Sequence, residues 1–266
     1  MDKVERLHEL HQSGCFVIPN PWDAGSAKVL EQLGFKALAT TSSGFAWSIG
    51  RRDNHVTLED ALAHFRAIAS AVDVPVSADF EHGFAADPDG VAANVAKALE
   101  TGIAGLSIED STKDDANPLF EFELAVRRMH AARRAIDASG TRAVLTGRSE
   151  GFIAGRPDLE ETIRRLKAYA DAGADCLFAP GIRDLRDIER VVQAVAPKPV
   201  NVIGGDYATF DELRAIGVRR ISVGSGLART AWTGFLAAAK EIAENGTFTG
   251  LGRAISGNEL NMRFVR

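Results

Sequence analysis

The chain has 266 residues, of which 45% are hydrophobic, and a formal net charge of −5. Its length suits one large α/β domain, and its acidic balance makes nucleic acid and anionic membrane poor partners. No apolar run approaches the ~20 residues that a membrane span needs, and Met1-Asp2-Lys3-Val4-Glu5-Arg6 opens a helical pattern, not a signal segment, so a cytoplasmic location is expected.

Eight short apolar, β-branched runs recur along the chain, at 15–18, 37–41, 74–78, 105–108, 143–146, 176–179, 200–203 and 220–223. Amphipathic stretches lie between them, among them 92–100, 121–138, 159–172 and 209–216. Strand and helix alternating eight times predicts an α/β fold, a (β/α)8 TIM barrel over a single domain, 1–266. A doubly wound open sheet is the competing architecture, but Pro19-Asn20-Pro21-Trp22-Asp23-Ala24 after the first run is no Gly-rich dinucleotide loop. A helix over 231–244 follows the last run, and 227–266 reads as a C-terminal helix and tail beyond what one barrel needs. Cys15 and Cys176 match no metal spacing and read as small packing residues.

In a barrel, chemistry sits where strands end. The third run ends in Ala78-Asp79-Phe80-Glu81-His82-Gly83 and the fourth in Ile108-Glu109-Asp110. Desolvating unpaired carboxylates costs several kcal/mol per ion, so acids ending two adjacent core strands point to a divalent cation with hard oxygen ligands. Asp79, Glu81 and Glu109 are the candidate metal residues; two positions apart on a regular strand, Asp79 and Glu81 are expected on one face. Arg148 ends the fifth run and is the candidate for binding a substrate carboxylate or a developing enolate. Ser43-Gly44-Phe45 follows the second run as a turn whose N–H groups can hold an oxyanion, and the seventh run delivers Asn201 as a further substrate-binding group. The polar stretch 111–118 is expected to be a mobile lid, and His55 and His82 are weaker candidates as proton carriers. Gly204-Gly205 and Gly224-Ser225-Gly226 also leave open a phosphate-binding barrel, although acids on two strands would repel that ligand.

Taken in order, Asn20-Pro21-Trp22-Asp23-Ala24, Ser43-Gly44-Phe45, Arg52-Asp53, Asp79-Phe80-Glu81-His82-Gly83-Phe84, Ile108-Glu109-Asp110, Thr146-Gly147-Arg148 and the strand 218–224 resemble the isocitrate lyase/phosphoenolpyruvate mutase superfamily. The resemblance implies an Mg²⁺-dependent enzyme, with Mn²⁺ as a possible substitute, that acts on a small carboxylic acid through a metal-stabilised enolate. It implies that Asp53, Asp79, Glu81 and Glu109 surround the metal or its waters, with Asp79 as direct ligand. Arg148, Ser43 and Asp53 are then the catalytic set, and Ser43, Gly44, Phe45, Arg148, Asn117 and Asn201 the substrate-binding set. It also implies a homodimer or homotetramer with the C-terminal helix exchanged between subunits.

Two departures narrow the expectation. Glu81 stands where many members have aspartate, and the 111–118 lid lacks the Lys-(Lys/Arg)-Cys-Gly-His motif of the isocitrate and methylisocitrate lyases. The expected activity is C–C cleavage or decarboxylation of a 2-oxo or 2-hydroxy dicarboxylic acid. The alternatives are a phosphonopyruvate-type mutase or hydrolase and a non-catalytic 2-oxo-acid binder.

Overall fold

Helix α1 (Lys3–Gln12) leads into strand β1 (Phe16–Ile18) in the computed structural model, which describes residues 1–264. There follow α2 (Ala24–Gln32), β2 (Leu38–Ala39), α3 (Ser42–Ser48), α4 (Leu58–Ala71), β3 (Val76–Asp79), α5 (Pro88–Leu99), β4 (Gly105–Glu109) and α6 (Phe122–Ser139). The second half runs β5 (Val144–Arg148), α7 (Leu159–Asp171), β6 (Cys176–Phe178), α8 (Leu185–Val195), β7 (Val200–Ile203), α9 (Phe210–Ala215), β8 (Arg220–Ser222) and α10 (Gly226–Asn245). A 3-10 turn (Thr249–Arg253) and α11 (Gly257–Met262) follow. The last two residues of the expected tail, 265 and 266, lie outside the described residues.

All eight strands are parallel, in the order β1-β8-β7-β6-β5-β4-β3-β2. The seam between β1 and β2 is bridged where Ala39 N–H donates to the Pro19 carbonyl at 3.0 Å. Asn20 reinforces it: its Nδ2 donates to the Thr40 carbonyl (2.9 Å) and its Oδ1 accepts from Val223 N–H (2.8 Å). The fold is therefore the expected (β/α)8 barrel.

Side-chain alternation sorts each strand into two environments. Leu106 and Ile108 of β4 pack outward with Leu145, Leu177, Met129 and Tyr169 in the layer between strands and helices. Their neighbours Ser107 and Glu109 line the interior instead. Gly147 on β5 lets α7 approach closely; a Cβ there would lie 2.9 Å from the Cβ of Tyr169. Caps set helix starts near the rim, as where Thr57 and Asp60 form a capping box on α4 and Asp158 accepts from Glu161 N–H on α7, each worth about 1 kcal/mol.

Three local expectations change. Ser43-Gly44-Phe45, read as a turn, lies within α3, because the Thr41 hydroxyl caps that helix by accepting from Gly44 N–H (3.3 Å). Strand β3 stops at Asp79, and Glu81 lies beyond it with φ of 49°, so strand alternation does not place Asp79 and Glu81 on a shared face. Helix α10 begins at Gly226, earlier than its apolar pattern suggests.

Of the 20 residues of α10, only Ala228 is buried; Trp232, Phe235 and Leu236 are 36%, 59% and 48% exposed. In its last turns, Glu241 accepts from the amides of Thr249 (2.8 Å) and Gly250 (2.7 Å), and beyond it the Arg263 carbonyl accepts from Gln32 of α2. No helix among the described residues is long and apolar enough to cross a membrane.

Candidate active site

Asp79, Glu109 and Arg148 end three adjacent strands, β3, β4 and β5, and face a cavity of about 430 Å³ at the C-terminal mouth of the barrel. Arg148 is the hub. Its Nη1 lies 3.2 Å from Asp79 Oδ1 and 3.3 Å from Glu109 Oε2, and its Nε donates to Glu150 Oε1 at 2.5 Å. Burial would lower the guanidinium pKa, but Glu150, Glu109 and Asp79 outweigh it and hold the pKa above its ordinary value. The second oxygen of Asp79 accepts from the amide (3.0 Å) and hydroxyl (2.8 Å) of Ser42, the first residue of α3. That carboxylate is thus oriented from both sides.

Glu81 reaches the site through a turn, not along a strand. Gly83 N–H donates to the Phe80 carbonyl (2.9 Å), and Glu109 N–H donates to the Glu81 carbonyl (3.0 Å). Buried Arg128 of α6 pins the turn by donating to the carbonyls of His82, Ala85 and Ala86. Burial pushes Glu81 up to about 7, aided by repulsion from Asp79 and Glu109 and only partly offset by Lys113.

The segment 111–118 folds over the mouth as a short antiparallel flap, with Ser111 bridged to Leu119 and Thr112 N–H donating to the Pro118 carbonyl (3.0 Å). Lys113, Asp114 and Asp115 line the cavity from above. The Lys113 ammonium sits 3.0 Å from both Glu81 Oε2 and Glu109 Oε1 and donates to Asn54 Oδ1. Burial would lower its pKa, yet Glu109 and Glu81 keep it raised, so Lys113 is a fixed charge and a poor acid.

Asp53, Ser43 and Asn201 also line the cavity. Asp53 is pushed up by burial and then by Asp79. Three expected residues are placed elsewhere. Gly44 and Phe45 are engaged in α3, with Phe45 N–H donating to the Thr41 carbonyl (3.1 Å) and its ring stacked on His64 at 3.9 Å. Asn117 is exposed, its nearest side-chain partner being Asp114 at 3.5 Å. Neither cysteine lines the cavity. His55 is exposed, and burial lowers the pKa of His82 to about 4. Asp110 is no cavity group: its side chain is 1% exposed and bound to Arg165, Tyr169 and the Glu150 amide.

Sequence reasoning assigned no role at the site to Ser42 and Lys113 as the partners that fix Asp79 and Glu81. A serine directly after a strand and a lysine four positions after Glu109 were the available signals.

The donor set suits a hard divalent cation. Asp79, Glu81, Glu109 and Glu150 contribute only oxygen and outnumber Arg148 and Lys113. Among the described residues no three His, Cys, Asp or Glu groups converge into a ready-made metal cage. Mg²⁺ does not require one, because it commonly binds through one or two carboxylates and keeps several waters.

Comparison with known proteins places this geometry. A family model described as phosphoenolpyruvate phosphomutase matches residues 7–243. An uncharacterised protein of Mycobacterium tuberculosis is 34% identical over 221 residues, 82% of this chain and 81% of the relative. Oxaloacetate decarboxylase of Bradyrhizobium diazoefficiens is 33% identical over 203 residues, 72% of this chain and 67% of that protein. A Burkholderia cenocepacia J2315 protein, provisionally named a lyase/mutase, superposes with a TM-score of 0.95 at 45% identity, covering 99% of this chain and 96% of the other. Phosphonopyruvate hydrolase in complex with oxalate and Mg²⁺ superposes with a TM-score of 0.86 at 26% identity, covering 99% and 95%. The chain belongs to the isocitrate lyase/phosphoenolpyruvate mutase superfamily of enzymes.

Proposed function

We propose that the protein is an Mg²⁺-dependent lyase or decarboxylase that cleaves a C–C bond of a small 2-oxo or 2-hydroxy dicarboxylic acid. The observation that carries this reading is the Asp79–Arg148–Glu109 array facing a cavity beneath a lid without cysteine. The relative named oxaloacetate decarboxylase supports decarboxylation as the reaction. Asp79, Glu81 and Glu109 are the residues that would hold the cation or its waters. When bound, Mg²⁺ would act as a Lewis acid for negative charge developing on the substrate's C2 oxygen.

The chain's own groups do the rest. Arg148, held by three carboxylates, presents a preoriented cation to a substrate carboxylate, so little reorganisation accompanies charge build-up. Ser42 fixes Asp79, Ser43 and Asp53 stand at the wall, and the flap carrying Lys113 shields the cavity from water. A phosphonopyruvate-type mutase or hydrolase is the second reading, favoured by the lysine that the flap sets against Glu81 and Glu109. Incubation with oxaloacetate, a panel of 2-alkylmalates and phosphonopyruvate separates the readings by the product released. Mg²⁺-dependent pyruvate from oxaloacetate above the rate without protein, or the matching 2-oxo acid from a 2-alkylmalate (pyruvate from 2-methylmalate), abolished by EDTA, is expected. Pyruvate or its phosphorylated isomer phosphoenolpyruvate from phosphonopyruvate alone reverses the order of the two readings, and oxalate binding without any turnover selects a binding protein.

The protein is further proposed to act as a homodimer or homotetramer, with α10 packed on a neighbouring barrel. The exposed Trp232, Phe235 and Leu236 give that helix an apolar surface that its own barrel leaves uncovered. The groove lined by Trp22, Phe45, Ile49 and His64, with Asp23, Arg51 and Asp60 beside them, is the proposed seat on the neighbour. Phe235→Glu combined with Leu236→Glu is expected to reduce the mass measured by light scattering to that of one chain. An unchanged mass would assign the interface elsewhere.

A further inference from the structure

Below the acidic rim, the same cavity ends at a lone cation. Arg220, the first residue of β8, is 5% exposed and extends into the barrel. Its Nε donates to Asn201 Oδ1 (2.9 Å), its Nη2 donates to Thr146 Oγ1 (3.1 Å), and its Nη1 faces His11 Nε2 at 3.4 Å. All three partners are uncharged: burial, then Arg220 itself, lowers the His11 pKa to about 3. Among the described residues no carboxylate forms an ion pair with Arg220, whereas Arg148 has three. A buried charge without a counter-ion is unfavourable unless a ligand supplies one.

The walls above this cation are also unusual for a barrel, whose interior is normally filled by bulky branched side chains. Here Ser77, Ser107 and Ser222 line the cavity with Asn201 and Arg220, so open polar space connects the rim to the floor. Asn201 is locked with its oxygen towards Arg220, because its Nδ2 donates to Ser222 Oγ at 3.0 Å. The rim thus carries surplus negative charge and the floor an unbalanced positive one.

We propose that Arg220, with Asn201 and Ser222, forms a second anion subsite that takes the distal carboxylate of a linear 2-oxo dicarboxylic acid. The inference rests on reading the rim as the site for the 2-oxo-acid end. Thr146, which touches Arg220, precedes Arg148 by two residues, about 6–7 Å at the rise of a strand, a span that 2-oxoglutarate can bridge. The subsite explains why the floor keeps a cation where an apolar residue would pack, and it sets selectivity for diacids over monoacids.

Calorimetric titration of the Mg²⁺-loaded protein with oxalate, 2-oxobutyrate and 2-oxoglutarate tests it. The last two differ only by the terminal carboxylate, and oxalate is too short to reach the floor. The wild type is expected to bind 2-oxoglutarate at least about tenfold more tightly than 2-oxobutyrate, the scale of a charge-assisted contact. Arg220→Met is expected to shrink that gap to about twofold or less while oxalate still binds. Ser107→Leu keeps the cation but obstructs the shaft; it should also remove the gap, and it decides the matter if Arg220→Met fails to fold. Oxalate binding without the gap in the wild type, or a gap that survives in the folded variant, overturns the subsite alone. Absence of Mg²⁺-dependent oxalate binding overturns the reading of the rim and the subsite with it.

Discussion

Asp79→Ala is expected to abolish Mg²⁺-dependent oxalate binding and to lower turnover by at least about a thousandfold, roughly 4 kcal/mol of transition-state stabilisation. The expectation follows from where the carboxylate sits. Asp79 ends β3 at the cavity wall, with Ser42 fixing one oxygen and Arg148 the other. The side chain is 18% exposed, so its removal opens no hole in the packed layer between strands and helices. Arg148 keeps Glu109 and Glu150, and the freed Ser42 donors can turn to water. Stability should therefore change by no more than about 1 kcal/mol, visible as a shift of a few degrees in Tm. Asp79→Asn sharpens the test, because the amide oxygen still accepts from Ser42 while the charge is lost. Mg²⁺-dependent oxalate binding unchanged in both variants would remove Asp79 from the metal site.

The architecture was legible because the strands are short apolar runs, most of them with β-branched residues and most followed by a turn signal, and that pattern depends on nearest neighbours in sequence. Asp79, Glu109 and Arg148 stood out for a related reason, being charged groups closing apolar strands. What the sequence hid was set by distant partners. Alternation along β4 separates Asp110 from Glu109, which faces the cavity, but the α7 residues that lock Asp110 are distant in sequence. Glu81 adopts a positive φ in a turn pinned by Arg128 from α6, so strand alternation was the wrong rule for it. Ser42-Ser43-Gly44-Phe45 has the composition of a turn, and only the Thr41 cap turns it into a helix. Arg220 offered a usable signal. Ile221 packs outward, so its two neighbours on β8 must face inward, but Arg219-Arg220 reads more naturally as a solvated strand entrance.

Asp110→Ala should be the most destabilising single change among the strand-end acids. One of its oxygens accepts from Tyr169 Oη at 2.6 Å and from Arg165 Nη1 at 3.1 Å; the other accepts from Glu150 N–H at 2.7 Å. These contacts tie the end of β4 to α7 and to the loop after β5, which carries Glu150 and borders Arg148. Alanine would leave the Tyr169 hydroxyl and the Glu150 amide unpaired in the interior. Arg165 would retain only Glu161 and the Phe120 carbonyl. Breaking a buried ion pair from one side costs about 3–5 kcal/mol, against a total stability of about 5–15 kcal/mol for a typical domain. A fall in Tm on the order of 10 °C is expected from thermal unfolding, with Asp110→Asn falling less because it keeps an acceptor. The comparison with Asp79→Ala is the informative one. If acids at the ends of β3 and β4 served one purpose, their variants would fail alike. The contacts instead predict a stable, inactive protein from the first and a destabilised one from the second. A native-like Tm for Asp110→Ala would show that α7 is held to the barrel by its apolar face alone.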